Sequence, residues 1–175
     1  MLLSEVKASY VIWLREILHY RRNKVRLVSG ISLPFLWLVI LGSGLSSSLR
    51  FAPQNAQGID YLSFIFPGVM GMTILFPSMF SAMSLVYDKE FGFFKEIFVT
   101  PVSRLSIVLG KTLGGATTTT IQASLMFILA PLVDIKISLL TILYMIPAIF
   151  IVSFTFSAFG VLMASRLKST ETFPL

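Results

Sequence analysis

The sequence predicts an all-α polytopic membrane protein, with an N-terminal interfacial amphipathic helix followed by four transmembrane helices. Three observations carry this. Of 175 residues, 55% are hydrophobic and only 13% charged, about half the charged share of a soluble domain. The mean hydropathy is +0.86. The few charges are bunched, leaving charge-free runs at 27–49, 61–87, 112–133 and 137–165. About 20 apolar residues at a rise of about 1.5 Å cross a hydrocarbon core about 30 Å thick, so each run can span. Four such helices buried in a soluble protein would leave almost no polar face for water.

Composition also removes several function classes. With no cysteine, there is no disulfide scaffold, thiolate metal site or cysteine nucleophile. A single histidine, His19, excludes a multi-histidine metal centre. The apolar, phenylalanine-rich chain is not disordered. No Ser-His-Asp set or intramembrane carboxylate pair argues for an enzyme, and the chain is read as a non-enzyme that binds no cofactor.

The cations set the orientation. Four spans place Lys7, Arg15, Arg21, Arg22, Lys24, Arg26, Lys89, Lys95, Arg104, Lys111, Arg166 and Lys168 on one side, and only Arg50 and Lys136 on the other. Twelve against two is a strong positive-inside bias. The N-terminus, the 88–111 segment and the C-terminal tail are therefore expected in the cytoplasm. The basic excess reports topology and anionic lipid, not nucleic acid.

The elements follow in order. Over residues 4–22, Val6, Tyr10, Trp13, Ile17 and Tyr20 recur on one helical face. With Arg21-Arg22-Asn23-Lys24 behind them, they predict a helix lying in the cytoplasmic interface, whose polar face is free to carry a partner. His19 falls on that polar face. The first span, 27–49, has 26 residues before it, too many for a cleaved signal peptide, and contains Pro34. The second, 61–87, contains Pro67 and Pro77, which neighbouring helices can accommodate. The third, 104–133, carries Gly110, Gly114, Gly115 and the run Thr117, Thr118, Thr119, Thr120. Four threonines cover a full turn, so some face other helices or a substrate path, and both readings stand. The fourth, 137–165, has Ser153, Ser157, Gly160 and Ala164 at the spacing that lets helices approach closely. No ionisable residue is expected inside a span, which removes a proton relay. Transport would then be passive or driven by an external motor.

The cytoplasmic segment 88–103 is unusual for a connecting loop. Phe91, Phe94, Ile97 and Phe98 form one helical stripe rimmed by Lys89, Glu90, Lys95 and Glu96. Thr100-Pro101 suits an N-cap followed by proline at the first helical position. A short amphipathic helix thus sits at the cytoplasmic face, against a partner or against the membrane surface. Gly110-Lys111-Thr112 mimics the end of a phosphate-binding loop, but Leu105 stands where that motif needs glycine. ATP binding by this chain is rejected.

The stretch Glu90-Phe91-Gly92, Lys95-Glu96-Ile97, Val99-Thr100-Pro101-Val102-Ser103-Arg104 and Gly110-Lys111 resembles the signature of type-2 ATP-binding-cassette (ABC) exporter permeases, most nearly the daunorubicin-type drug-exporter branch. The resemblance implies a permease in the plasma membrane that moves a drug-like, lipid-like or glycan substrate outward. It implies pairing with a second permease subunit, as a homodimer, and with ABC ATPase subunits that carry the ATP. It further implies that residues 88–100 are a coupling helix, with Glu90, Phe91, Gly92, Phe94, Glu96 and Ile97 docking the ATPase and Thr100, Pro101 and Arg104 turning into the third span. Thr117 to Thr120 are candidates for the substrate path. Phe93-Phe94 departs from the family's usual Thr-Leu or Thr-Met. The family domain has six spans, of which this chain is expected to hold four, whether as a fragment, a truncated product or half of a split gene. A non-transporting anchor or assembly subunit that docks a cytoplasmic partner is the rival reading.

Overall fold

A computed structural model describes residues 2–48, 61–90, 103–133 and 138–166, and these are helical almost throughout. Helix α1 spans Leu2–Arg22, α2 Lys24–Ser48, α3 Tyr61–Ser81 and α4 Met83–Glu90. Helix α5 spans Arg104–Leu125, two 3₁₀ turns follow at Met126–Ile128 and Ala130–Val133, and α6 spans Leu139–Arg166. Among the described residues there is no strand.

The breaks between elements are small. Asn23 alone separates α1 from α2, and its N–H still donates to the His19 and Tyr20 carbonyls at 3.1 and 3.2 Å. Ala82 separates α3 from α4 with its N–H on Met79 O at 3.1 Å. Together these two form a stretch, Phe64–Tyr87, long and apolar enough to cross a membrane; α6 is the second such helix. Only 11% of the most apolar window of α6 is buried, against 44% for Phe64–Tyr87. A soluble core helix would be mostly covered, whereas α6 presents Leu143, Tyr144, Ile151 and Leu162 outward. That is a surface made for lipid.

Helix α5 is the opposite kind of helix. It is rich in glycine and threonine, and most of its residues are buried. It stands in the middle, with α1 along one side and α3 and α6 along others. The main apolar core joins Leu38 of α2, Phe66, Val69, Met70 and Ile74 of α3, Ala123 and Met126 at the end of α5, and Ile149 of α6. A second cluster at the other end packs Ala82, Leu85 and Val86 against Val161 and Ala164. The small residues of α6 behave as their spacing predicts: Ser153, Ser157, Gly160 and Ala164 are all buried.

Candidate functional site

Residues that the sequence marks for coupling fall mainly outside the described structure. Phe91, Gly92, Phe94, Glu96, Ile97, Thr100 and Pro101 lie in the 91–102 interval that is not described. Glu90 is the last residue of α4. Arg104 is the first of α5, whose N-cap is Ser103 with extended backbone, its hydroxyl accepting the Ser106 N–H at 3.2 Å. Helix α5 thus starts at Arg104, where Ser103 serves an orphan amide, and the Thr100-Pro101 step lies outside the described residues. The two ends of the loop are well defined.

Those ends are held by a polar cluster. Lys111, two turns into α5, is buried, with a side chain 5% exposed. Its Nζ lies 2.6 Å from Glu16 Oε1 of α1 and donates to Ser84 Oγ of α4 at 2.9 Å. One ammonium therefore connects three helices: the amphipathic helix and both legs flanking the 91–102 interval. Lys111 stands one residue before the charge-free run 112–133, so the cluster lies at the end of that run.

Helix α1 reaches Lys111 because α5 has glycines where α1 crosses. A methyl at Gly110 would lie 2.8 Å from both Ile12 Cβ and the Ser9 carbonyl oxygen, and one at Gly114 would lie 2.6 Å from Glu16 Cβ. Small residues four apart form a trough for a second helix. Flanking bonds fix the register: Ser9 Oγ donates to Ser106 O at 3.1 Å and Trp13 Nε1 to Thr117 Oγ1 at 3.0 Å. Residue numbers rise together along both helices, so α1 lies lengthwise and parallel on α5. The predicted apolar face is consequently divided. Val6 and Tyr10 stay exposed, while Trp13 turns partly inward and Tyr20 is buried.

Three hydroxyls of the threonine run bond back to their own helix. Thr117 donates to Leu113 O, Thr118 to Gly115 O and Thr120 to Ala116 O, at 2.7, 3.0 and 2.7 Å. Its neighbours take both carbonyls that Thr119 could reach within its own helix. Its buried hydroxyl, with those of Ser78 and Ser153, has no partner among the described residues. Near this level Gly115 admits Ser81 and Ser157, whose hydroxyls face each other at 3.4 Å. The contact leaves no room for a side chain at 115.

The cavity of this region lies elsewhere. It is about 540 Å³ and opens between α2, α3 and α5, with Gln122 rather than the threonines on its wall. Sequence reasoning passed over Gln122 because one amide in a long apolar run carries no periodic signal. Among the described residues no cluster of His, Cys, Asp or Glu could hold a metal.

Long apolar helices around a central, more polar one define a helical membrane-embedded domain. A family model described as ABC-2 type transporter matches residues 8–174, and the chain belongs to that family. Its relatives include the protein named "Putative transport permease ycf38" from Cyanophora paradoxa, 33% identical over 107 residues, which are 61% of this chain and 36% of that protein. The protein of the same name from Pyropia yezoensis is 34% identical over 113 residues, 63% of this chain and 36% of its own. The matched region thus spans about a third of the length of these relatives. No solved structure matches.

Proposed function

We propose that this chain is the permease part of an ATP-driven ABC exporter, crossing the plasma membrane four times with its N-terminus in the cytoplasm. Residues 88–100 are its coupling helix to a separate ATPase subunit, and a second permease copy completes the pathway. Family membership supports a transport permease. The observation that carries the coupling is the Lys111 cluster. A force delivered to the 91–102 interval meets Ser84 on one leg and Lys111 on the other; these two bond to each other, and Lys111 pairs with Glu16 of α1. Helices joined in this way move as a unit, which is what an energy-coupling base has to do. The drug-exporter branch and the direction of transport rest on the sequence resemblance.

Reconstitution with the partner ATPase tests this reading. Replacing Glu90 or Gly92 should leave membrane insertion intact and lower substrate-stimulated ATP hydrolysis roughly tenfold, the size of a coupling free energy of about 1–3 kcal/mol. Normal ATPase recruitment without any substrate-dependent turnover in the unmodified chain would favour the anchor reading instead.

A further inference from the structure

The cavity between α2, α3 and α5 has the make-up of a ligand site. Its volume of about 540 Å³ falls inside the range of roughly 300–1,000 Å³ for small-molecule pockets. Leu33 and Trp37 of α2 and Met72, Phe76 and Phe80 of α3 give it apolar, aromatic walls. Gln122 of α5 is only 6% exposed, and its carboxamide makes no hydrogen bond among the described residues. A methyl at Gly30 would run into that amide, so the glycine lets the carboxamide lie against the α2 backbone. Gln122 therefore offers the cavity both a donor and an acceptor.

The two prolines on the cavity wall add acceptors. Pro34 has no N–H to give the Gly30 carbonyl, and Pro77 has none for the Thr73 carbonyl. Gly30, Pro34, Thr73 and Pro77 all line the cavity. One amide and two backbone carbonyls without their proline-blocked helical donors therefore line the same half-open apolar groove. The lining contains no Asp, Glu, Lys, Arg or His. A charged headgroup would enter without a counter-ion, which a membrane interior penalises.

We propose that this cavity binds an uncharged amphiphile, whose hydroxyl or amide head hydrogen-bonds Gln122 and the freed carbonyls while its chain or ring lies against Trp37, Phe76 and Phe80. This deepens the transport reading by naming a substrate class, and it disfavours a glycan, which would leave many hydroxyls unpaired there. Its test is equilibrium binding, which needs no ATPase, so the two readings fail separately.

Tryptophan supplies the readout, since the chain has only two. Trp13→Phe leaves Trp37 on the cavity wall as sole reporter. The protein in phosphatidylcholine nanodiscs is titrated with a dibrominated monoacylglycerol, whose bromines quench indole fluorescence. Saturable quenching is expected, with dibrominated phosphatidylglycerol giving only the linear quenching of bulk lipid. Gln122→Leu should weaken the saturable component roughly five- to tenfold, the worth of one net hydrogen bond, at unchanged helical circular dichroism. A diazirine monoacylglycerol cross-linked to the unmodified protein, with the adduct mapped by mass spectrometry to α2 or α3, gives a check free of substitutions. Equal quenching by both lipids, or unchanged affinity in Gln122→Leu, overturns the proposal. So does the absence of quenching and adduct, the result expected if another segment of the protein fills the cavity.

Discussion

The α1–α5 contact and the α2–α3 wall are built by opposite means. Along α1 and α5, two glycines bring backbones together and polar groups fix the register, ending in the ion pair of Glu16 with Lys111. Along α2 and α3, large apolar side chains keep the helices apart over a cavity, and prolines loosen the hydrogen bonding of both walls. The first arrangement fixes geometry at a single register. The second leaves room. In one small domain, a close polar helix contact sits beside an apolar groove.

The largest expected effect is at the base. Glu16→Ala strips Lys111 of its carboxylate, and breaking a buried pair from one side costs about 3–5 kcal/mol. Thermal unfolding in detergent should show a marked loss, largely restored in the Glu16→Ala, Lys111→Met double variant. If the single variant were as stable as the parent, the base would be no more specific than the groove. Next is Gly110→Leu, whose side chain would meet the α1 backbone at Ser9 O. Forcing it in costs about 3 kcal/mol and should unseat α1. The chain lacks cysteine, so a Trp13→Cys, Thr117→Cys pair bridged by a short bifunctional thiol reagent reports this cleanly: cross-linking is expected in the parent background and lost with Gly110→Leu.

The smallest effect belongs to the wall. Pro34→Ala restores an amide to a helix that already tolerates its loss, and stability should change by about 1 kcal/mol or less. Hydrogen exchange at residues 30–38 is the sensitive measure, and slower exchange is expected. A loss of stability as large as that of Glu16→Ala would erase the contrast between the two regions.

Much of this architecture is legible in the sequence because hydropathy and length decide it. The apolar runs at 61–87 and 137–165 become the two helices that, among the described residues, are long and apolar enough to cross a membrane, and the small-residue spacing on α6 becomes a packed seam. The base is legible only in part. Gly110 and Gly114 advertise a close helix contact, but nothing in their spacing says that α1 is the partner. Glu16 sits on a polar face and Lys111 at the edge of an apolar run, positions that solvent satisfies equally well, so only the three-dimensional meeting of α1, α4 and α5 reveals the pair. Gln122 and the proline-freed carbonyls share one cavity for the same reason. They come from three helices, and no local pattern links them.

The single residue between α1 and α2 has a mechanical consequence. A long linker would absorb rotation, but Asn23 keeps its N–H on the preceding turn, so α1 and α2 act as a bell crank with its pivot there. One arm is geared to α5 through the glycine trough. The other arm carries Gly30, Pro34 and Trp37. A small roll of the first arm is then expected to reach the second as a change in groove width, which Trp37 fluorescence would report.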